Sequence, residues 1–143
     1  MEDDRTRKMG HGCFIVLYAV RGDSLLLLLG QRNEATNSYP LWFELPGGTV
    51  EPGEDWKEGL AREVYEETGI RLREADIIPF RSYTRADQPL ALLDTAIAHV
   101  TDLDVRKSPE WIGFAWVDPV QVVQLQNMIL PAHARVIAEE KPG

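Results

Sequence analysis

The stretch Gly48 to Ile70, GTVEPGEDWKEGLAREVYEETGI, constrains this chain more than any other, because it carries both ends of a helix and more charge than stability alone requires. Pro52 and Gly53 read as a turn, and Asp55 as an N-cap with Glu58 three residues on, the capping-box spacing. Gly69 closes the run as a C-cap. Between these ends Leu60, Val64 and Thr68 recur every four residues with Ala61 beside them, so one stripe of the helix faces a core. Glu63, Glu66 and Glu67 stack their carboxylates along one edge.

At about 100° per residue, Glu63 and Glu67 border the apolar stripe, whereas Arg62 and Glu66 lie farther round. The acidic edge is therefore half sheltered. Like charges at these spacings cost roughly 0.2–0.5 kcal/mol per pair in water and more as the dielectric falls. A cation would remove that cost, and an all-carboxylate set suits Mg²⁺ or Mn²⁺ rather than zinc. Taken alone, the same residues also describe a solvated acidic helix face. Arg62 stands four residues from both Glu58 and Glu66, which leaves a plain helix salt bridge open beside a role at the acidic edge. Gly47 and Gly48, lacking side chains, let backbone carbonyls approach an ion.

The spacing across the whole window resembles the Nudix box: Gly48, five residues, Glu54, seven residues, Arg62-Glu63-Val64, one residue, Glu66-Glu67, one residue, Gly69-Ile70. The match spans 23 of 143 residues, and the preceding Leu45-Pro46-Gly47 is also similar to the family's loop. The resemblance implies that Glu63, Glu66 and Glu67 bind divalent metal, joined by the Gly47 carbonyl, that Arg62 orients the glutamates, and that Glu54 braces the loop. It also implies a reaction, attack of water on a diphosphate bond in a nucleoside diphosphate linked to another group. The residue chemistry agrees, since a carboxylate site meets a polyanion only through bridging metal that offsets charge and acidifies a bound water.

Composition sets outer limits. A chain of 143 residues, 44% hydrophobic, reads as one domain with a sizeable core. A net charge of −8 argues against duplex DNA as a partner, though not against small nucleotides held through metal. The single Cys13 sits in an apolar run and makes no internal disulfide. No apolar run reaches membrane-spanning length, and residues 1–9 are too charged for a signal peptide and read as frayed. The expectation is a cytoplasmic enzyme, monomer or homodimer, with no membrane partner.

Along the chain, His11 to Val20 is nearly continuously apolar and predicts a strand buried on both faces. A turn at Arg21-Gly22-Asp23-Ser24 leads into Leu25 to Leu29, whose shortness and flanking Gly30 favour a strand despite leucine's helix propensity; the two runs form a hairpin. Gln31 to Pro40 is a polar rim. By placement Arg32 is similar to family arginines that contact phosphate or base, with a surface arginine as the alternative, and Tyr39 or Trp42 is a stacking surface for a base or else a core plug. Ile77 to Thr84 suggests a strand with Pro79 near an edge, Arg85 to Pro89 a turn, and Leu90 to Val100 a long strand whose Asp94 and His99 face solvent or a cleft. Glu110 to Val117 follows as a strand whose alternation Gly113 disturbs, and Asp118-Pro119 starts one interrupted helix or two short ones ending at Glu140. Glu110, just before the Trp-Val strand, resembles the acidic residue outside the box that completes the family's metal site; Asp102 and Asp104 are the alternatives.

These patterns predict a mixed, largely antiparallel sheet with helices, which the resemblance sharpens to an α+β fold, the Nudix α/β/α sandwich. The function expected is a Mg²⁺-dependent pyrophosphohydrolase, Mn²⁺ substituting, acting on a nucleoside triphosphate or related diphosphate. Glu63 is the foremost ligand and candidate base, and replacing Glu66 or Glu67 is expected to cost turnover without disturbing packing. An RNA 5′-end decapping enzyme and a nucleotide sensor are the alternatives. A diphosphate isomerase would want a reactive cysteine, for which a buried Cys13 is poorly suited.

Overall fold

The computed structural model describes residues 11–36, 38–84 and 92–139, so the expectations for residues 1–9, the 85–89 turn, Leu90 and Glu140 lie outside the described residues. Its framework is one sheet of β1 (His11–Arg21), β2 (Ser24–Arg32), β3 (Phe43–Glu44), β4 (Gly47–Thr49), β5 (Ile78–Thr84), β6 (Leu92–His99) and β7 (Trp111–Val117). β1 runs parallel to β6, and the other ladders are antiparallel. The expected β1–β2 hairpin is present, pairing Arg21 with Ser24 across a turn whose Gly22 takes a positive φ of 62°. The leucine run is strand, as its shortness required.

The opening of that hairpin positions the functional loop. β1 and β2 pair only near the turn, from Tyr18 to Arg21 and Ser24 to Leu27. Toward the other end β1 pairs instead with β4 through Gly12 to Phe14, and β2 with β3 through Gly30 and Gln31. The short β3–β4 segment thus occupies the gap between two splayed strands, and Leu45-Pro46 links its halves with Pro46 O accepting from Ile15 N at 3.0 Å.

Strand alternation then makes two cores. Cys13, Ile15, Leu17 and Ala19 point to one face, where α1 (Trp56–Thr68) covers them with Leu60 and Val64. Phe14 and Val16 point to the other, against α2 (Pro119–Leu125) and α3 (Pro131–Glu139), which contributes Val136 and Ile137. A sheet between helices is the expected α/β/α layering. Burial of every residue from Cys13 to Leu17 follows from that double cover.

The helix ends follow their signals with one exception. Asp55 caps α1 by accepting from Lys57 N at 3.2 Å, and Gly69 ends it at φ 75° with its N–H on Tyr65 O. The Glu58 half of a capping box is not made; the complete box belongs to Asp118 and Gln121 at the start of α2. Pro79 lies near the start of β5, the outermost strand, where a missing N–H costs least. No helix among the described residues is long and apolar enough to cross a membrane.

Candidate functional site

The polar edge of α1 meets the β3–β4 segment, and the fit is tight. A Cβ added to Gly48 would collide with the Glu63 carboxylate, so only glycine lets that side chain reach the loop backbone. Glu67 goes farther in. It is 3% exposed and accepts from Gly47 N–H through Oε1 at 2.8 Å. Among the described residues no donor reaches its other oxygen. Glu67 therefore lies deeper than the half-sheltered edge read from the helical wheel: its position beside Leu60 and Val64 carries it inward under the loop. Glu66, one residue back and about 100° round the helix, keeps 57% of its side chain exposed.

Arg62 is the hub of the exposed side. Its Nε and Nη2 bind the two Glu54 oxygens at 2.9 and 3.1 Å, Nη2 also donates to Thr49 O, and Nη1 reaches Glu63 and Glu66 at 3.2 and 3.3 Å. The pairing with Glu58 is absent from the described bonds, and the partner from outside the helix is Glu54. Glu54 in turn accepts from Glu51 N, which ties the turn before α1 to the helix itself. These bonds hold the Glu54 carboxyl below the ordinary carboxylate range and the guanidinium above its own.

Glu67 has no cationic partner among the described residues. Burial pushes the Glu67 carboxyl up to about 9 against the pull of the Gly47 N–H, and the charges of Glu44, Glu110 and Glu63 push the same way. Glu63 is also raised, chiefly by burial, with Arg62 opposing and Glu66 and Glu110 adding. Glu110 thus acts on both raised carboxylates, whereas Asp102 and Asp104 line a separate cleft of about 420 Å³ with Gly69, Arg71 and His99. That placement favours Glu110 among the three acidic candidates.

What brings Glu110 there is a set of backbone bonds. Arg106 N and Ser108 N donate to Thr68 O and Glu67 O at the end of α1, and Asn33 N donates to Glu110 O. The residues that complete this turn were not singled out in the sequence. Trp111 is buried over Gly30, where any Cβ would strike the indole, and its Nε1 donates to Glu44 at 2.9 Å. The other Glu44 oxygen takes Arg32 Nη1 at 2.6 Å. A carboxylate set inside the aromatic run Trp42-Phe43-Glu44 was the available signal.

The rim residues are placed as follows. Arg32 spends its guanidinium on Glu44 and, through Nε and Nη2, on Ser38 O. With Asn33, Thr36, Glu44 and Glu110 it lines an open cleft of about 480 Å³. Tyr39 and Trp42 meet edge to face at 4.8 Å. Tyr39 and Leu41 both take left-handed φ, 49° and 68°, which costs a non-glycine residue roughly 1–2 kcal/mol. Asp94 departs from its expected outward orientation: it is 13% exposed, bonded to Ser82 Oγ and paired with His11 on neighbouring strands. His99 is exposed and tilted over Tyr18 at 5.0 Å. Cys13 is buried with its thiol pushed up to about 12 by desolvation, which removes the thiolate an isomerase would need.

The residues fit a hard divalent cation by their chemistry. Among the described residues no three acidic, imidazole or thiol groups already converge on one point, and Arg62 supplies the positive charge between Glu63 and Glu66. Yet Glu67 is a buried carboxylate with an unpartnered oxygen, pressed by the charges of Glu44, Glu110 and Glu63, and carboxylate oxygens are the ligands a hard cation takes.

A glycine loop closing over a glutamate-edged helix, on a sheet layered between helices, is the arrangement that the box resemblance implied. A family model described as NUDIX domain matches residues 10–139, and the chain belongs to the Nudix family and is a Nudix hydrolase. The nucleoside triphosphatase NudI of Escherichia coli O81 (strain ED1a) is 31% identical over 119 residues, covering 76% of this chain and 84% of that protein. Among solved structures, a MutT protein from Methanosarcina mazei Go1 superposes with TM-score 0.65 at 28% identity over 91% of this chain and 90% of its own. The NUDIX domain of Shewanella oneidensis NrtR, complexed with ADP ribose, reaches TM-score 0.74 at 16% identity over 90% and 83%.

Proposed function

We propose that this chain is a Mg²⁺-dependent pyrophosphohydrolase, accepting Mn²⁺ in place of Mg²⁺, that cleaves a diphosphate bond of a nucleoside triphosphate by direct attack of water. The observation that carries the reading is Glu67, a buried carboxylate raised to about 9 with one oxygen unpartnered, which a cation would stabilise in its charged form. The name of the NudI relative, a nucleoside triphosphatase, supports the substrate class. We take residues 10–139 as a single catalytic unit.

Glu63, Glu66 and Glu67, with the Gly47 carbonyl and Glu110, would hold the metal. Bound there, Mg²⁺ supplies charge compensation for the phosphate oxygens and lowers the pKa of water. Glu63, raised above the usual carboxylate range, is suited to accept the proton of the attacking water. As the water oxygen bonds to phosphorus, the bridging P–O bond breaks and the phosphate on its far side leaves with that electron pair. Arg62, fixed by Glu54, keeps Glu63 and Glu66 in register during this step. Tyr39 and Trp42 offer aromatic surface for a base, and the strain at Tyr39 is consistent with a site held for binding. Arg32 organises the rim from which the substrate would be met.

The test is a panel of ribo- and deoxyribonucleoside triphosphates with Mg²⁺ in ¹⁸O-labelled water, with products separated and weighed. Metal-dependent cleavage is expected, with the label in a single turnover on whichever product keeps the phosphorus that water attacked. Unlabelled products in that turnover, or a trapped phosphorylated side chain, would remove the direct-water mechanism. Turnover confined to capped RNA, or none with any nucleotide, would remove the substrate class.

A further inference from the structure

His133, in the first turn of α3, is used by nothing described so far, yet it connects that helix to the functional loop across the sheet. Its Nδ1 accepts the Leu45 N–H at 2.8 Å, and its ring stacks on Phe14 with centroids 4.0 Å apart and planes inclined by 20°. An Nδ1 that accepts carries no proton, so the neutral ring bears its hydrogen on Nε2. Desolvation, with Arg32's charge adding, lowers its pKa to about 3 and keeps that state across the working range. Leu45 is 1% exposed, and no other acceptor among the described residues serves its amide.

We propose that His133 is a positioning residue: through Nδ1 it holds the Leu45–Gly48 loop at the depth where Gly47 N–H meets Glu67. The bonds form a chain. Leu45 N goes to His133, Pro46 O receives Ile15 N, Gly47 N goes to Glu67, and Val50 N goes to His11 O. Only the first of these is made by a side chain from the far face of the sheet. Phe14 sets the plane of the imidazole, and Val136 and Ile137 seat α3, so the acceptor is held by packing on both sides. Without it the loop's first residue has no anchor, and the backbone groups two residues on lose their register with Glu67.

Asparagine and glutamine separate this role from others, because an Asn side chain places a carbonyl oxygen near the Nδ1 position and a Gln side chain places one near Nε2. In His133→Gln, amide exchange at Leu45 and Gly47 is expected to accelerate by about 10-fold or more, and Mn²⁺ binding without nucleotide, read by electron paramagnetic resonance, to weaken about 10-fold. The kcat should fall with the KM for nucleotide retained, and His133→Asn should restore exchange protection and Mn²⁺ affinity. Restoration by Gln and not by Asn would overturn the proposal in favour of an Nε2 contact, and equal protection in both variants would overturn it outright. Should His133→Gln not fold, a ¹⁵N–¹⁵N coupling across the Leu45–His133 hydrogen bond in the unmodified protein decides, its absence refuting the bond. The Mn²⁺ arm rests on the metal reading above. A wild type that binds no Mn²⁺ would sink that reading, while the exchange arm would still judge this one.

Discussion

Two segments flank the acidic cleft, and they are held in place by opposite means. From Gly47 to Gly69 the polar groups find partners close in sequence: Arg62 reaches Glu54 eight residues away, and Gly47 reaches Glu67 at twenty. The rim around Arg32, Glu44 and Trp111 is tied by long-range bonds, Trp111 to Glu44 across 67 residues and Asn33 to Pro109 across 76. The first segment makes most of its side-chain polar contacts within itself, while β1 and His133 seat its loop from outside. The second depends on how distant parts of this chain meet, so it is where substrate choice can vary without disturbing the chemistry.

Breaking the local segment should produce the largest effect. Glu66→Gln and Glu67→Gln are each expected to lower kcat at saturating Mg²⁺ by about 100-fold or more, equivalent to ~2.7 kcal/mol of barrier. Glu110→Gln, on an exposed turn, should lose less, with the deficit shrinking as Mg²⁺ is raised. Steady-state kinetics across a Mg²⁺ titration checks the ranking, and wild-type turnover by either box variant would remove that residue from the metal set.

The same two glutamates should part company in stability, a contrast sharper than either activity loss. The folded-state value of about 9 for Glu67 lies above that of an unfolded carboxyl, near 4.3, so folding takes up a proton between those limits. The stabilisation is complete below about pH 4.3 and is lost as pH rises through about 9. The amide introduced by Glu67→Gln stays neutral throughout. In chelator, Glu67→Gln should match the wild type below about pH 4 and exceed it by pH 9 by several kcal/mol, read as a higher thermal midpoint. Glu66→Gln, losing an exposed pair with Arg62, should move the midpoint by less than about 1 kcal/mol at any pH. Adding Mg²⁺ should reverse the Glu67 comparison, since only the wild type gains from the cation. Parallel pH curves for wild type and Glu67→Gln would show that this carboxyl is not raised.

That contrast also marks how far the sequence could be read. Asp55, Gly69 and the glutamate spacing speak through neighbours within one or two helical turns, so the helix, its caps and its acidic edge were legible. The depth of Glu67 was half legible, because the helical wheel puts it at the border of the apolar stripe but does not show the loop that closes over it. Glu44, a carboxylate in an aromatic run, gave only a hint, and Trp111 and His133 still less, for a different reason. Their partners stand 67 and 88 residues off, and nothing in a window around any of them declares the bond. His133 did carry a faint sign, sharing with Val136 and Ile137 the i, i+3, i+4 stripe that turns inward. Asp94 misled because a carboxylate in an apolar strand suggests solvent, whereas His11 and Ser82 on flanking strands satisfy it inside.

The smallest expected effect comes from loosening the rim while leaving the helix intact. Arg32→Lys keeps the charge but gives up the planar fork that serves Glu44 and Ser38 O together, and an ammonium on a flexible stem cannot hold both in that geometry. The bond to Glu44 is the one a lysine would retain, because the carboxylate is the stronger acceptor, so Trp111 stays seated and Glu110 with it. What is released is the Ser38 carbonyl, and with it the turn that presents Tyr39 and Trp42, in which Tyr39 holds a left-handed conformation that costs energy to maintain. The variant should therefore show KM for nucleotide raised several-fold, roughly 1 kcal/mol, with kcat near the wild-type value and Mn²⁺ affinity intact. Steady-state kinetics with direct Mn²⁺ binding would read it. A fall in kcat and Mn²⁺ affinity with KM held would mean that the rim reaches the acidic edge through Glu44, and the division between a local tool and a long-range frame would then have to be redrawn.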